Sequence, residues 1–317
     1  MSQEEQFIQV GLAQHKPNFL QKESGLRKVQ EIIQEAANNK CDLLVFGEAF
    51  LPGYPFWLSF ANGSKFESEI QKSIHARYLK EAVCIENGDL DSICNSAREA
   101  NMAVYLGIVE RPKDRGGHSL YCSLVYINKS GKICSVHRKL QPTYEERLCW
   151  APGDGQGLQV HDLPPFSVGG LNCWENWMPL SRTALYGKGE NLHVAVWPGS
   201  LKNTKDITRF IALESRSYVL SVSSIMTKAD IPSSFPHYDD IIHLAPEVLA
   251  NGGSCIANPD GSWLQAPIVD EEQLIVATLD IEKVYQERQN FDVAGHYSRP
   301  DVTKLILNQD RQRLVDE

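Results

Sequence analysis

Short, near-continuously apolar runs separated by segments of helical period constrain this chain more than any other feature. Cys41 to Phe46 is the clearest such run, and a strand of that composition must be covered on both faces. Phe7 to Ala13 alternates and predicts another strand, and Leu26, Val29, Ile32, Ile33 and Ala36 then fall on one face of a helix. Asp89 to Asn101 predicts a helix with Leu90, Ile93, Ala97 and Ala100 inward, and Met102 to Val109 a strand. Leu120–Ile127 and Lys132–His137 form a hairpin through Asn128-Lys129-Ser130-Gly131. Val168–Cys173, Leu192–Trp197 and Tyr218–Ser223 are further strands, with helical patterns at 178–189 and 205–217 between them. A second hairpin, Ser254–Asn258 with Ser262–Pro267, turns at Pro259-Asp260-Gly261, before a strand at Leu274–Leu279 and a short helix at Ile281–Arg288. Strands alternating with helices, together with hairpins, predict mixed sheets in a layered α/β domain; periodicity alone does not choose the layering.

Three strand ends carry reactive side chains. Leu43-Leu44-Val45-Phe46-Gly47 leads into Glu48, and Ile133 to Arg138 leads into Lys139. In Gly169-Gly170-Leu171-Asn172-Cys173-Trp174-Glu175-Asn176 an apolar stretch breaks at a cysteine. A thiol at such a break is expected at the sheet edge, exposed rather than buried. Strand-to-helix turns suit nucleophiles, because backbone N–H groups there can hold developing negative charge.

These segments resemble the nitrilase branch of the carbon–nitrogen hydrolase superfamily. The resemblance rests on Gly47-Glu48-Ala49-Phe50-Leu51-Pro52-Gly53-Tyr54-Pro55, on the run from His137 to Arg147, on Cys173-Trp174-Glu175-Asn176, and on Gly295-His296-Tyr297-Ser298-Arg299-Pro300-Asp301. The order Glu, Lys, Cys matches the family, and the similarity runs from about residue 7 to about residue 301. It implies two sheets face to face with helices outside, a four-layer α-β-β-α sandwich. No repeat or composition break divides the chain, so one domain over 1–317 is expected, with a C-terminal tail from about 290.

The implied chemistry is nitrile hydrolysis. A nitrile carbon is a weak electrophile and a thiol near neutral pH is mostly protonated, so the site needs a base and a cation. Glu48 fits the base that takes the Cys173 proton. Lys139 fits the cation that stabilises and protonates the nitrile nitrogen, and the Trp174 N–H is a further donor. Cys173 is expected to rest as a neutral thiol, since Glu48 and Lys139 push its ionisation in opposite directions. Glu146 matches a second family glutamate and takes a supporting catalytic role, although Glu145 could exchange with it or either could pair with Arg147. Tyr54, Trp57, Tyr144, Trp150 and Trp174 are candidates to line an apolar substrate pocket. His296 is expected to support the site or an interface. No step requires a cofactor or metal. The alternatives are an enzyme that hydrates a nitrile or cyanide to an amide, an amidase of the same superfamily, and a non-catalytic scaffold; the intact Glu48, Lys139 and Cys173 argue against the last.

Other features bound the partners. A formal charge of −9 without a basic stripe argues against nucleic acid. No apolar run approaches the roughly 18 residues of a membrane span, and Met1 to Gln6 is polar and acidic, unlike a signal peptide. The eight cysteines, Cys41, Cys84, Cys94, Cys122, Cys134, Cys149, Cys173 and Cys255, contain no C-x-x-C pair and are expected as reduced thiols in a cytoplasm. The sequons at Asn62 and Asn128 then carry no meaning. Gly153-Asp154-Gly155-Gln156-Gly157 lacks dinucleotide-loop spacing and is expected to be a plain turn. His118 and His161-Asp162 show no metal-ligand grouping. The resemblance implies a homodimer, and the polar stretch Asn308 to Arg313 so soon after Arg299-Pro300-Asp301 makes long filaments less expected than the dimer.

Overall fold

A computed structural model describes residues 6–315; the polar start at residues 1–5 and the final residues 316–317 lie outside the described residues. Thirteen strands form two mixed sheets among the described residues. The first sheet contains β1 (Phe7–Gln14), β2 (Leu43–Phe46), β3 (Ala103–Glu110), β4 (Tyr121–Ile127), β5 (Ile133–Arg138) and β13 (Gln273–Asp280), in the order β13-β1-β2-β3-β4-β5. The second contains β6 (Val160–Leu163), β7 (Phe166–Asn172), β8 (Leu192–Trp197), β9 (Tyr218–Ser223), β10 (Ile225–Thr227), β11 (Val248–Ala257) and β12 (Trp263–Val269). Its order is β10-β11-β9-β8-β7-β6, with β12 paired to β11. In each sheet three parallel strands, β1-β2-β3 or β7-β8-β9, are flanked by antiparallel ones.

The unbroken apolarity of the central strands follows from burial on two sides. In β2, Leu43 and Val45 face the second sheet, packed with Val10, Leu12, Tyr105 and Leu124 against Val168, Val194, Val196, Leu220 and Ile256. Leu44 and Phe46 face outward, beneath helices α1 (Lys22–Asn38) and α4 (Asp91–Glu99), which present Val29, Ile32, Ile33, Ala36, Ile93 and Ala97. Each such Val, Leu or Ile, fully buried, contributes about 1.5–3 kcal/mol. On the far side, helix α5 (Pro179–Tyr186) sets Ala184 and Leu185 on Leu171. Helix α7 (Ile207–Ser215) sets Ile207, Ile211 and Ala212 on Ala195, Trp197 and Val219. Helix, sheet, sheet, helix is the expected four-layer sandwich.

Several elements differ from the sequence pattern. Helices α2 (Trp57–Phe60), α3 (Glu69–Glu81) and α8 (Tyr238–Ile241), and strands β6 and β10, carry too little periodicity to be read. Helix α3 buries only Ile74 and Tyr78, and its start is fixed by the Ser68 hydroxyl accepting from the Gln71 N–H. The pattern at 205–217 becomes α7, and a separate short helix, α6 (Leu201–Thr204), precedes it. After α9 (Ile281–Arg288) the tail has no regular element and runs back along the molecule. There Arg311 and the Gln312 N–H bond the Asp154 carboxylate in the Gly153–Gly157 turn. Among the described residues no helix is long and apolar enough to cross a membrane.

Candidate active site

Glu48, Lys139 and Cys173 each follow the last residue or two of a strand, and the sandwich brings those three strand ends together. Glu48 follows β2, and its N–H bonds the carbonyl of Trp197, which ends β8 in the other sheet. Gly107 of β3 has to be glycine here, because a Cβ would lie 2.1 Å from the Gly47 carbonyl oxygen. Lys139 follows β5, held by its N–H on the Cys122 carbonyl and by its own carbonyl accepting from Gly153. The preceding Arg138 turns the other way and forks onto Glu110 at 2.9 Å from both Nε and Nη2, so adjacent cations serve different partners. Cys173 follows β7 at φ +48°, a left-handed conformation unusual for a residue with a Cβ.

The Lys139 Nζ donates to Glu48 Oε1 and to Glu146 Oε2, each at 2.7 Å, and all three side chains are fully buried. One carboxylate oxygen from each glutamate and the Cys173 sulfur lie within 4.8 Å of one another. This is the one grouping of metal-capable side chains among the described residues, and Lys139 already supplies the cation that the two carboxylates hold. Glu146 is fixed further by the Thr143 N–H on Oε2 at 2.6 Å and the Tyr54 hydroxyl on Oε1 at 2.8 Å. Geometry therefore decides between the adjacent glutamates: Glu146 is buried against Lys139, Glu145 is not, and Arg147 turns its Nε to the Pro142 carbonyl. Glu48 keeps Oε2 without a protein partner among the described residues, while Oε1 also accepts from the Cys122 thiol at 3.4 Å.

Burial shapes the proton affinities here. It raises the Glu48 pKa to about 7; Lys139 opposes the rise and Glu146 adds to it. Burial and then Glu48 push the Cys173 thiol well above its ordinary value, against the pull of Lys139 and the Trp174 N–H. The opposed charges agree with the expectation of a neutral thiol, but the largest influence is burial, because Cys173 is enclosed rather than exposed at a sheet edge. The reason is topological: β7 lies inside its sheet, Cys173 joins the cluster of Ala195, Trp197 and Ile207, and the Glu48 and Glu146 carboxylates lie against its sulfur. Lys139 stays protonated: burial works against its charge, but Glu48, Cys173 and Glu146 raise its pKa well above normal.

The aromatic candidates separate. Tyr54 bonds Glu146, and the Trp150 ring centre lies 5.7 Å from the Lys139 Nζ, so both border the cluster. Trp57 instead belongs to the core, against Phe19, Tyr78 and Phe235, where a ring with no charged neighbour is best packed. Tyr144 is 82 % exposed and Trp174 54 % exposed, so in this chain they stand outside the cluster rather than around it. The His296 side chain is 94 % exposed in a turn, 3.7 Å from Asp292, rather than among the buried side chains of the cluster. The other cysteines form no disulfide, and Cys134 is exposed while Cys41, Cys84, Cys122 and Cys255 are buried. His161 stacks on Tyr126 and bonds Ser135.

Glu175 is a site residue that the sequence reading passed over. Its carboxylate accepts from the Asn172 N–H at 2.9 Å, the Leu140 N–H at 2.6 Å and His137 Nε2 at 3.0 Å, which ties the Lys139 loop to the Cys173 turn. The signal was present as a capping box, Asn172 with Glu175 three residues on.

The family profile described as carbon-nitrogen hydrolase matches residues 9–289. This chain belongs to the carbon–nitrogen hydrolase family. A protein called Nitrilase 2 from an unknown prokaryotic organism is 35% identical over 97% of this chain and 95% of its own. An aliphatic nitrilase of Sinorhizobium fredii (strain HH103) is 35% identical over 92% of this chain and 93% of its own. Within the carbon–nitrogen hydrolases the chain thus falls in the nitrilase branch. The fold is that of Saccharomyces cerevisiae Nit3, a member of branch 10 of the nitrilase superfamily. The two align with a TM-score of 0.71 at 19% identity, over 92% of this chain and 97% of that one.

Proposed function

We propose that this carbon–nitrogen hydrolase is a nitrilase, converting a small organic nitrile and two waters to a carboxylic acid and ammonia. The observation that carries the reading is the buried Lys139 amine bridging Glu48 and Glu146 beside the Cys173 sulfur. The names of its relatives agree with it. Cys173 attacks the nitrile carbon, giving its proton to Glu48, while Lys139 gives a proton to the nitrile nitrogen. The product of this step is a thioimidate. The Glu48 carboxylic acid returns its proton to the Lys139 amine across their hydrogen bond, which restores the base. Water deprotonated by Glu48 then adds to the thioimidate, protons pass to the nitrogen, the C–N bond breaks with release of ammonia, and an acyl-thioester remains. A second water then cleaves the C–S bond and frees the acid. Glu146 orients Lys139 throughout, and Tyr54 and Trp150 border the reacting atoms.

The proposal extends to the whole chain as one hydrolase domain with a tail from about 290, paired as a homodimer in the cytoplasm. Trp177, Leu180, Phe210 and Leu213 are exposed on α5, α7 and the turn before α5, an apolar surface that such a pairing would bury. The main experiment offers a panel of aliphatic and aromatic nitriles and quantifies acid, amide and ammonia. Acid with equimolar ammonia, abolished in Cys173→Ala with folding intact, is the expected result. Accumulating amide in place of acid, or undiminished turnover by Cys173→Ala, refutes it.

A further inference from the structure

Behind the Cys173 turn lies a buried chain of polar groups that the reaction above does not use. His193, on β8, has Nδ1 2.9 Å from Glu190 Oε1 and Nε2 2.8 Å from Asn176 Oδ1. The Asn176 Nδ2 donates to the Cys173 carbonyl at 2.8 Å and to the Leu171 carbonyl at 3.3 Å. Its amide orientation is therefore fixed, and Oδ1 faces the imidazole as an acceptor. Nε2 must then carry a proton. Nδ1 faces a carboxylate, so either it carries a proton too or Glu190 does. In both cases the pair holds one proton more than a neutral imidazole beside a carboxylate would. His137 differs: its Nε2 meets Glu175, but its Nδ1 has no partner among the described residues, so one proton satisfies it.

The surroundings are built for this pair. Glu190 and His193 are fully buried, and Gly169 of β7 makes the room, since a Cβ there would lie 2.2 Å from Glu190 Oε1. Arg182 of α5 donates to the Asn176 carbonyl at 2.6 Å and is itself paired with Glu214 of α7, which also accepts from the Tyr186 hydroxyl. Arg288 of α9 donates to the Glu190 backbone carbonyl, not to its carboxylate.

We propose that Asn176, His193 and Glu190 are positioning residues for the nucleophile, in which the shared proton orients Asn176 and Asn176 holds the backbone of Cys173 in its left-handed turn. This rests on Cys173 being the nucleophile. Without the Nε2 proton, a bare ring nitrogen would face Asn176 Oδ1. Asn176 then either keeps two acceptors in opposition or flips and turns its oxygen on the Cys173 and Leu171 carbonyls. Either way the turn loses its hold, and nucleophilic competence falls.

The test compares His193→Asn, which keeps a group opposite Glu190 but removes the donor to Asn176, with His193→Gln, which places an amide nitrogen near the Nε2 position at every pH. Two readouts are followed at one pH: alkylation of Cys173 by iodoacetamide, mapped by peptide mass spectrometry, and kcat and KM on a nitrile. His193→Asn is expected to lose tenfold or more in alkylation rate and kcat with KM within about twofold, since a misplacement of about 1 Å costs about 10²-fold. His193→Gln is expected to stay within about threefold of wild type in both readouts. Wild-type rates in His193→Asn, or equal losses in both variants, overturn the proposal. Alkylation needs no nitrile turnover, so it judges this chain even where the nitrilase reading fails. Should circular dichroism show His193→Gln unfolded, Glu190→Gln takes its place, since its amide NH2 donates to Nδ1 and holds the ring with its proton on Nε2. It must then stay within about threefold of wild type, and a loss equal to that of His193→Asn refutes the coupling.

Discussion

Replacing Glu146 by Gln alters the charge beside Glu48 while sparing the local contacts. The amide oxygen takes the place of Oε2 and accepts from Lys139 and the Thr143 N–H; the NH2 meets Tyr54, whose hydroxyl turns to accept. The lost charge is felt by Glu48. Their nearest oxygens lie within 4.8 Å, and at an effective dielectric of about 20 two unit charges roughly 5 Å apart repel by about 3 kcal/mol. Each 1.4 kcal/mol, approximately, is tenfold in a proton equilibrium. In the native protein the Glu48 pKa is raised to about 7, by burial and by Glu146 against the pull of Lys139. The ionised form is the base, so kcat/KM rises with pH through about 7 and levels off above it. Without the Glu146 charge that limb moves down by about two pH units, toward 5. The plateau falls as well, by up to about 10²-fold, because Lys139 is held less firmly. The assay is kcat/KM on one nitrile from pH 4 to 9 for both proteins. An acidic limb that stays at about pH 7 in Glu146→Gln sinks the argument, because the group that titrates would then not feel Glu146.

Two further outcomes follow from neighbouring geometry. Glu175→Gln keeps one acceptor oxygen for three donors, the Asn172 N–H, the Leu140 N–H and His137. Losing a charge-assisted bond should cost about 1.5–3 kcal/mol in denaturant unfolding and lower kcat more than it changes KM; unchanged stability contradicts the assigned role. Leu180→Glu puts a charge on the exposed face of α5, and sedimentation should fall from twice the mass of one chain to the mass of one. A wild-type protein that sediments as a monomer removes the dimer.

The residues differ in how much of their role can be read locally. Leu43 to Phe46 announces a strand buried on both faces, and Val29, Ile32, Ile33 and Ala36 announce the helix that covers it, because period and apolarity are local properties. Helix α3 has only Ile74 and Tyr78 to bury, so its pattern is weak and its existence depends on the surface it docks against. Glu48 and Lys139 stand at legible strand ends, yet their ion pair spans 91 positions and exists only because β2 and β5 share a sheet. Trp57, Trp150 and Trp174 are equally apolar in sequence; one fills the core, one borders Lys139 and one meets solvent.

The sequence by itself determined the layered architecture, the family and the reactive residue types, since each is written in short stretches whose period or motif needs no distant partner. Only the tertiary structure decided that Cys173 is enclosed, that Glu146 rather than Glu145 meets Lys139, and that His193 must hold a proton on Nε2. Burial and proton affinity are set by atoms that the fold brings within a few ångströms from remote parts of the chain, and a linear pattern carries no record of those distances.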